Sequence, residues 1–183
     1  AADPGWAYGL YYAILAPLVA GRTSLLLNAG FTPDSTVEVL KRFKVTNFAA
    51  APTIYRSLRA GADVSGIRLR CASSAGEPLT PEIVDWGLQM FGCEVRDHYG
   101  QTELGMVIGN HWHPDVAQPL KPGSMGQVMP GYTAGIQQGQ IAIDVVNSPL
   151  LWFTGYDAAL AKTAERFTED GKWYLSADTG TVD

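Results

Sequence analysis

The sequence has little cysteine, and it has no apolar run long enough to cross a membrane. Its 183 residues include 2 cysteines, Cys71 and Cys93, which match no metal-ligand spacing. We therefore expect reduced thiols in a cytoplasmic protein, although two cysteines leave a disulfide open. The most apolar stretch, residues 10–20, is too short for a bilayer, contains Pro17 and follows no basic segment. Neither export nor membrane insertion is predicted.

Positive charge is also scarce. The 13 Lys and Arg residues are outnumbered by 18 Asp and Glu residues, so the formal net charge is -5. Nucleic acid is not an expected partner, because binding to it needs a basic surface. The composition, with 46% hydrophobic and 17% charged residues, is typical of a globular protein. A chain of this length can bury about 70% of the surface that its unfolded form exposes.

Helical and extended segments alternate as far as His98, with Gly, Pro or Asn between them. The pattern predicts helices at residues 10–20, 33–43, 52–58 and 81–91, with Thr32 and Thr80 as N-caps before a proline. It predicts strands at residues 23–27, 45–50, 67–71 and 94–98. On the last helix we expect an inward stripe of Ile83, Val84, Leu88 and Phe91. The alternation indicates an α/β fold, a parallel sheet with flanking helices.

The pattern changes after Pro119 to short extended runs. These lie at residues 126–129, 133–137, 140–146 and 172–176, with a turn at Gln138-Gly139 and a helix predicted at residues 157–167. We therefore expect two subdomains. Residues 1–118 form the α/β part, and residues 119–183 form a β-rich, partial-barrel part.

Unusual residues follow three of the predicted strands, at residues 51–53, 73–78 and 99–103. In a parallel sheet, ligands bind outside the carboxyl ends of the strands, where these loops lie. The loops offer hydroxyl groups, glycines that let the backbone approach a ligand, an aromatic face and a carboxylate that suits magnesium. This set of groups favours a nucleotide ligand.

Residues 73–78 and 97–103 together resemble the adenylate-forming superfamily of acyl-CoA synthetases, adenylation domains and luciferases. Three further segments resemble the family's motifs in the family's order, at residues 3–6, 52–56 and 173–178. The Glu77-Pro78-Leu79 segment and the Gly-Gln-Thr-Glu form at residues 100–103 are more similar to acetyl- and medium-chain acyl-CoA synthetases than to long-chain enzymes or luciferases.

The resemblance implies a role for each motif residue. Gly76, Glu77 and Pro78 would line one side of an adenine, and Asp97, His98 and Tyr99 the other. Gly100 and Gln101 would complete the nucleotide-binding segment. Thr102 and Glu103 would be catalytic, Thr102 at the α-phosphate and Glu103 as the magnesium ligand. Asp178 would accept hydrogen bonds from both ribose hydroxyls, while Trp6 and a turn at Gly105-Met106 would border an acyl pocket.

The family reaction joins a small carboxylic acid to ATP as an acyl-adenylate, releasing pyrophosphate, and then transfers the acyl group to CoA with release of AMP. The resemblance therefore implies ATP or AMP, Mg2+ and CoA as ligands. The family's lysine-bearing phosphate loop would precede Ala1, and its C-terminal domain would follow Asp183. We therefore expect an internal fragment with poor adenylation on its own. Ala177 stands where the family has glycine, which affects the backbone before Asp178.

Each residue also has a simpler interpretation. Glu103 can be a solvated acid, Asp178 a turn residue and Trp6 a packing residue. The three histidines, His98, His111 and His113, lack the spacing of a metal site. Two other functions stay open: a non-catalytic nucleotide-binding or scaffold fragment, and an adenylation domain that loads a carrier protein, although no acidic anchor for a substrate ammonium is evident. Self-association through exposed apolar surface is also expected.

Overall fold

The computed structural model describes residues 3–183. The chain forms two compact units. Unit 1 comprises Ala1–Gly100 and Ile108–Gln127, and unit 2 comprises Gln101–Val107 and Val128–Asp183. The helices are α1 (Ala7–Gly9), a π-helical turn (Leu10–Leu15), α2 (Ala16–Val19), α3 (Pro33–Arg42), α4 (Pro52–Gly61), α5 (Pro81–Phe91) and α6 (Leu160–Ala164). The strands are β1 (Asn47–Ala49), β2 (Cys71–Ser74), β3 (Val95–Gln101), β4 (Gly105–Gly109), β5 (Gln127–Val128), β6 (Ala134–Gln137), β7 (Gln140–Asp144) and β8 (Trp173–Thr179).

The first helical segment confirms the helix predicted at residues 10–20, with a π-helical turn inside it. Pro17 has no N–H to donate to the carbonyl of Ala13, and that carbonyl accepts the Ser24 hydroxyl. The strand predicted at residues 23–27 is wrong, because this segment is exposed irregular backbone. Among residues 3–183 it has no partner strand to take up its backbone hydrogen bonds, and alternation in sequence cannot supply one.

Helices α3, α4 and α5 confirm the three proline-led predictions. In α3 the Thr32 hydroxyl accepts the N–H of Ser35 at 3.1 Å, as an N-cap does. The inward stripe of α5 is confirmed at Ile83 and Phe91, which are buried, and at Val84, which packs half-buried against the core. Gly87 is also buried, but the prediction is wrong at Leu88, which is 51% exposed. The buried residues recur every four positions, so Leu88 falls on the solvent side. A side chain at Gly87 would meet Val95, which explains a glycine there.

The strands β1, β2 and β3 of unit 1 form a parallel sheet in its core. β1 pairs with β2 and β2 with β3, both in parallel. Tyr55 is fully buried and donates its hydroxyl to the carbonyls of Phe48 and Ser73. The strand predicted at residues 67–71 begins only at Cys71, because the N–H of Leu69 donates to Phe91 and not to a neighbouring strand.

Unit 2 is built on an antiparallel sheet of order β6-β7-β8. Gln138 and Gly139, both with positive φ, form the predicted turn between β6 and β7. The predicted helix at residues 157–167 is reduced to α6, because Ala158 has a φ of 50°, outside the right-handed region. Together the two sheets confirm the α/β class with a separate antiparallel part. In the described part of the chain, no helix has the length and apolarity to cross a membrane.

Candidate functional site

In unit 1 the loop after β2 carries Gly76, Glu77 and Pro78, all exposed. The Trp6 ring lies directly over Gly76, where an added Cβ would be 2.9 Å from two indole carbons. Trp6 remains 41% exposed. The structure thus brings together a residue predicted for the acyl pocket and one predicted for the nucleotide. Any side chain at position 76 would push the indole away.

The carboxylate of Glu77 anchors this loop to α4. Thr53 donates its hydroxyl to Glu77 Oε1 at 2.5 Å, and Arg56 donates to Oε2, also at 2.5 Å. The hydrogen bond from Thr53, followed by that from Arg56, lowers the pKa of Glu77. Two segments that the sequence analysis singled out separately therefore meet here. Both side-chain oxygens of Glu77 are thus engaged by α4.

Asp97 and His98 are neighbours on β3, and their side chains point to opposite faces of the sheet. Asp97 lines a cavity of about 180 Å³ with Leu79, Asn110 and Ser124. Its Oδ1 accepts the N–H of His98 at 3.1 Å. Burial raises the pKa of Asp97 to about 7, so a carboxylate here is held at a free-energy cost. Gly76, Glu77 and Pro78 are not among the residues that line this cavity.

On the other face of β3, His98 belongs to a row of aromatic side chains that starts at Trp6. Successive rings are 5.4 Å apart from Trp6 to Tyr8, 4.7 Å from Tyr8 to Tyr12 and 5.7 Å from Tyr12 to His98. The Tyr12 hydroxyl lies 3.3 Å from His98 Nδ1. Burial lowers the pKa of His98 to about 4, so its imidazole is neutral at pH 7. Tyr99 and Gly100 follow, half-buried, on β3.

In unit 2, Gln101 joins two motifs that lie 77 residues apart. Its Nε2 donates to Asp178 Oδ2 at 2.7 Å and to the Ser176 carbonyl at 2.8 Å, while its Oε1 accepts the Tyr174 hydroxyl at 3.0 Å. Sequence reasoning assigned Gln101 and Asp178 to one nucleotide site from the resemblance alone. The structure places them in direct contact.

The residue before Asp178 adopts the conformation that the family glycine suggests. Ala177 has a φ of 67°, in the left-handed region, and its N–H donates to Gln140 Oε1 at 2.8 Å. A left-handed backbone costs a residue with a Cβ about 1–2 kcal/mol. The strand β8 continues through this position, so the surrounding hydrogen bonds impose the conformation.

Replacing Ala177 with Gly should therefore stabilise the chain by about 1 kcal/mol, since glycine adopts positive φ without a Cβ clash. The measurement is the free energy of unfolding from urea denaturation. Ala161→Gly, at an exposed position of α6, is the matched control and should destabilise by about 1 kcal/mol. Destabilisation by both glycines would contradict the strain at Ala177.

Glu103 lies in the turn between β3 and β4, beside the exposed Thr102. Its Oε1 accepts the Tyr156 hydroxyl at 2.6 Å, and Tyr156 in turn accepts the Nε–H of Arg166 at 3.2 Å. The hydrogen bond to Glu103 raises the pKa of Tyr156. The turn predicted at Gly105-Met106 is corrected, because both residues begin β4 and the turn occupies residues 102–104.

The model of the AMP-binding enzyme family matches residues 1–140, more than half of the chain. The chain belongs to the AMP-binding enzyme family. Acetyl-coenzyme A synthetase of Bacillus subtilis (strain 168) is 32% identical over the whole chain, which covers 34% of that protein. Human mitochondrial acyl-coenzyme A synthetase ACSM3 is 32% identical over 99% of the chain, which covers 32% of that protein.

Solved structures agree with this family assignment. An acyl-CoA synthetase of Brucella canis superposes with a TM-score of 0.85 and 44% identity, covering 97% of this chain and 34% of its own. Apo MatB from Rhodopseudomonas palustris superposes with a TM-score of 0.84 and 25% identity, and the match covers 100% of this chain and 37% of MatB. This AMP-binding family member thus spans about a third of the length of the relatives that it matches.

In this AMP-binding family member, sequence reasoning missed Tyr8, Tyr12, Tyr156 and Arg166. The four-residue spacing of Tyr8 and Tyr12 after Trp6, which places both on one helix face, was the available signal. No comparable signal marks Tyr156, which meets Glu103 only because the chain folds back across 53 residues.

The donor set at Glu103 fits a magnesium ion that is shared with a phosphate. Among residues 3–183 no group of three or more His, Cys, Asp or Glu side chains could form a metal site by itself. Mg2+ commonly binds through one or two carboxylates and completes its shell with phosphate oxygens and water. Glu103 is a half-buried carboxylate on a turn, and such a group can serve in that arrangement.

Proposed function

We propose that this chain supplies the adenylate-binding part of an acyl-CoA synthetase that activates a small carboxylic acid with ATP and transfers the acyl group to CoA. The observation that carries the proposal is the 2.7 Å hydrogen bond from Gln101 to Asp178. It joins two segments that the resemblance assigns to the nucleotide. The names of the relatives, acetyl- and acyl-coenzyme A synthetases, support the same reaction class.

The unit 1 residues are proposed to hold the base and the acid. The backbone of Gly76, Glu77 and Pro78 lies along the adenine, with Glu77 kept in place by Arg56. Asp97 offers an acceptor to the base, and Tyr99 supplies an aromatic face for stacking. His98 remains a neutral packing partner of Tyr12 beside them. Trp6, which covers Gly76, borders the acid.

The unit 2 residues are proposed to hold the sugar and the phosphate. Asp178, which contacts Gln101, accepts hydrogen bonds from the ribose hydroxyls, because a carboxylate carries two acceptor oxygens. Thr102 donates its exposed hydroxyl to the α-phosphate, next to Gly100 and Gln101. Gly105 and Met106, at the start of β4, adjoin the acyl group. Glu103 holds Mg2+, which neutralises phosphate charge when bound.

The test is calorimetric titration of the chain with a stable acyl-adenylate analogue. Binding should be saturable, and Asp178→Ala should weaken it about 10- to 100-fold, or about 1.5–3 kcal/mol, because a charged acceptor is lost. Asp170→Ala removes the same charge from a turn of unit 2 and should leave affinity unchanged. Equal losses in both variants would contradict the role of Asp178. An absence of binding to the unaltered chain would favour the scaffold alternative.

Two further parts of the proposal concern the surroundings of the chain. Cys71 and Cys93 are both free thiols, which supports a cytoplasmic location.

Leu18, Val19 and Leu26 expose most of their surface, which supports self-association. Light scattering at rising concentration should show an increasing mean mass, and a monodisperse monomer would contradict self-association.

A further inference from the structure

The Tyr156 hydroxyl of unit 2 lies between a carboxylate and a guanidinium. It donates to Glu103 Oε1 at 2.6 Å, a distance typical of a charge-assisted hydrogen bond. On its other side it accepts the Nε–H of Arg166 at 3.2 Å. Arginine has only donors, so its contact with Tyr156 uses a lone pair of the phenol oxygen. The single phenol proton is thereby directed to Glu103.

The ring that carries this hydroxyl is held at several points. The backbone N–H of Tyr156 donates to Thr163 Oγ1 at 2.9 Å, and its ring meets the Phe153 ring edge-on at 5.1 Å. The Lys162 ammonium lies 4.5 Å from the ring centre. Arg166 is itself fixed by a bond to the Ser176 carbonyl at 3.3 Å. The hydroxyl therefore has a defined position before any ligand arrives.

We propose that Tyr156 is a positioning residue for the Glu103 carboxylate, an inference that rests on the magnesium role given to Glu103 in the proposed function. By engaging Oε1, Tyr156 stops the carboxylate from rotating and presents Oε2 as the ligand oxygen. A glutamate side chain is otherwise among the more flexible ones, and ordering it opposes metal binding. Partners that orient a metal ligand commonly change metal affinity 10- to 100-fold when removed.

The test measures the metal and not the reaction. Mn2+ replaces Mg2+ as a paramagnetic probe, and its free concentration is followed by electron paramagnetic resonance in the presence of saturating AMP. Glu103→Gln should abolish Mn2+ binding at the proposed site. Tyr156→Phe should weaken Mn2+ binding about 10-fold, while the affinity for AMP without metal, measured by calorimetry, stays unchanged. Tyr132→Phe is the matched control, because it removes a hydroxyl that donates to the carbonyls of Leu104 and Leu150.

The outcomes separate this inference from the function on which it rests. If the unaltered chain fails to bind AMP, the proposed function falls and the inference with it. If AMP binds and Glu103→Gln weakens Mn2+ binding while Tyr156→Phe does not, only the positioning role is overturned. Equal weakening by Tyr156→Phe and Tyr132→Phe, or a loss of metal-free AMP affinity in Tyr156→Phe, would also overturn it, because either result indicates a general effect on the fold.

Discussion

Asp97→Asn should stabilise the chain by about 2–4 kcal/mol at pH 8, where the wild-type carboxyl is ionised. Its pKa of about 7 in the folded chain compares with 3.8 in the unfolded one, and burial is the main cause of the difference. The folded state therefore binds the proton more tightly, and the stability contributed by this group falls as pH rises from about 4 to 7. One pKa unit corresponds to about 1.4 kcal/mol, which sets the upper end of the range.

The pH dependence of stability that His98 contributes has the opposite sign. Burial lowers its pKa from 6.5 to about 4, so the unfolded state binds the proton more tightly, and stability rises between those pH values. In the wild type the two effects largely cancel over this interval. In Asp97→Asn only the histidine effect remains, so stability should rise by about 3 kcal/mol from pH 4 to 6.5.

Urea denaturation at several pH values measures both effects. Asp115→Asn, at an exposed carboxylate of unit 1, is the control and should change stability by less than about 0.5 kcal/mol. An Asp97→Asn variant with wild-type stability at pH 8 would show that the carboxylate carries no burial cost. The expected gain would mean that Asp97 is present although its carboxylate lowers the stability of the chain, as is common for residues that bind a ligand.

Gly126→Ala should destabilise the chain by about 3 kcal/mol or more. Gly126 has a φ of 98°, and a Cβ there would lie 2.3 Å from the Gly109 carbonyl carbon and 2.5 Å from the Asn110 nitrogen. These are backbone atoms and cannot rotate away. Overpacking costs about 1–3 kcal/mol and the disfavoured backbone about 1–2 kcal/mol more. The displacement would also strain the Asn110 side-chain bond to the Ser124 carbonyl, 3.2 Å long.

Gly123→Ala in the same loop separates the two costs. Its φ of 75° is also positive, but nothing lies within 4 Å of an added Cβ. The free energy of unfolding of this variant, measured by urea denaturation, should therefore fall by only about 1 kcal/mol, which is the cost of the backbone conformation alone. Equal losses at positions 123 and 126 would show that the close approach to Gly109 is not what requires glycine.

Local chemistry accounts for the helices that were predicted well. A proline at the first helical position stands at the start of α3, α4 and α5, and Gly92 ends α5 with a φ of 78°. Strands were predicted less well. Residues 23–27 have the composition of a strand and form none in the described chain, and β4 was missed, because a strand exists only where another strand pairs with it.

In the candidate site, too, some features follow from the local sequence and others from the tertiary structure. Local sequence determined the residue types of the motifs, their order and the family, because the chemistry of a loop is written in consecutive residues. Only the tertiary structure decided that Glu77 is bound by Arg56, that Asp178 contacts Gln101 and that Glu103 is held by Tyr156. These contacts join residues 21, 77 and 53 positions apart. Their geometry depends on how strands and loops pack, which no local pattern specifies.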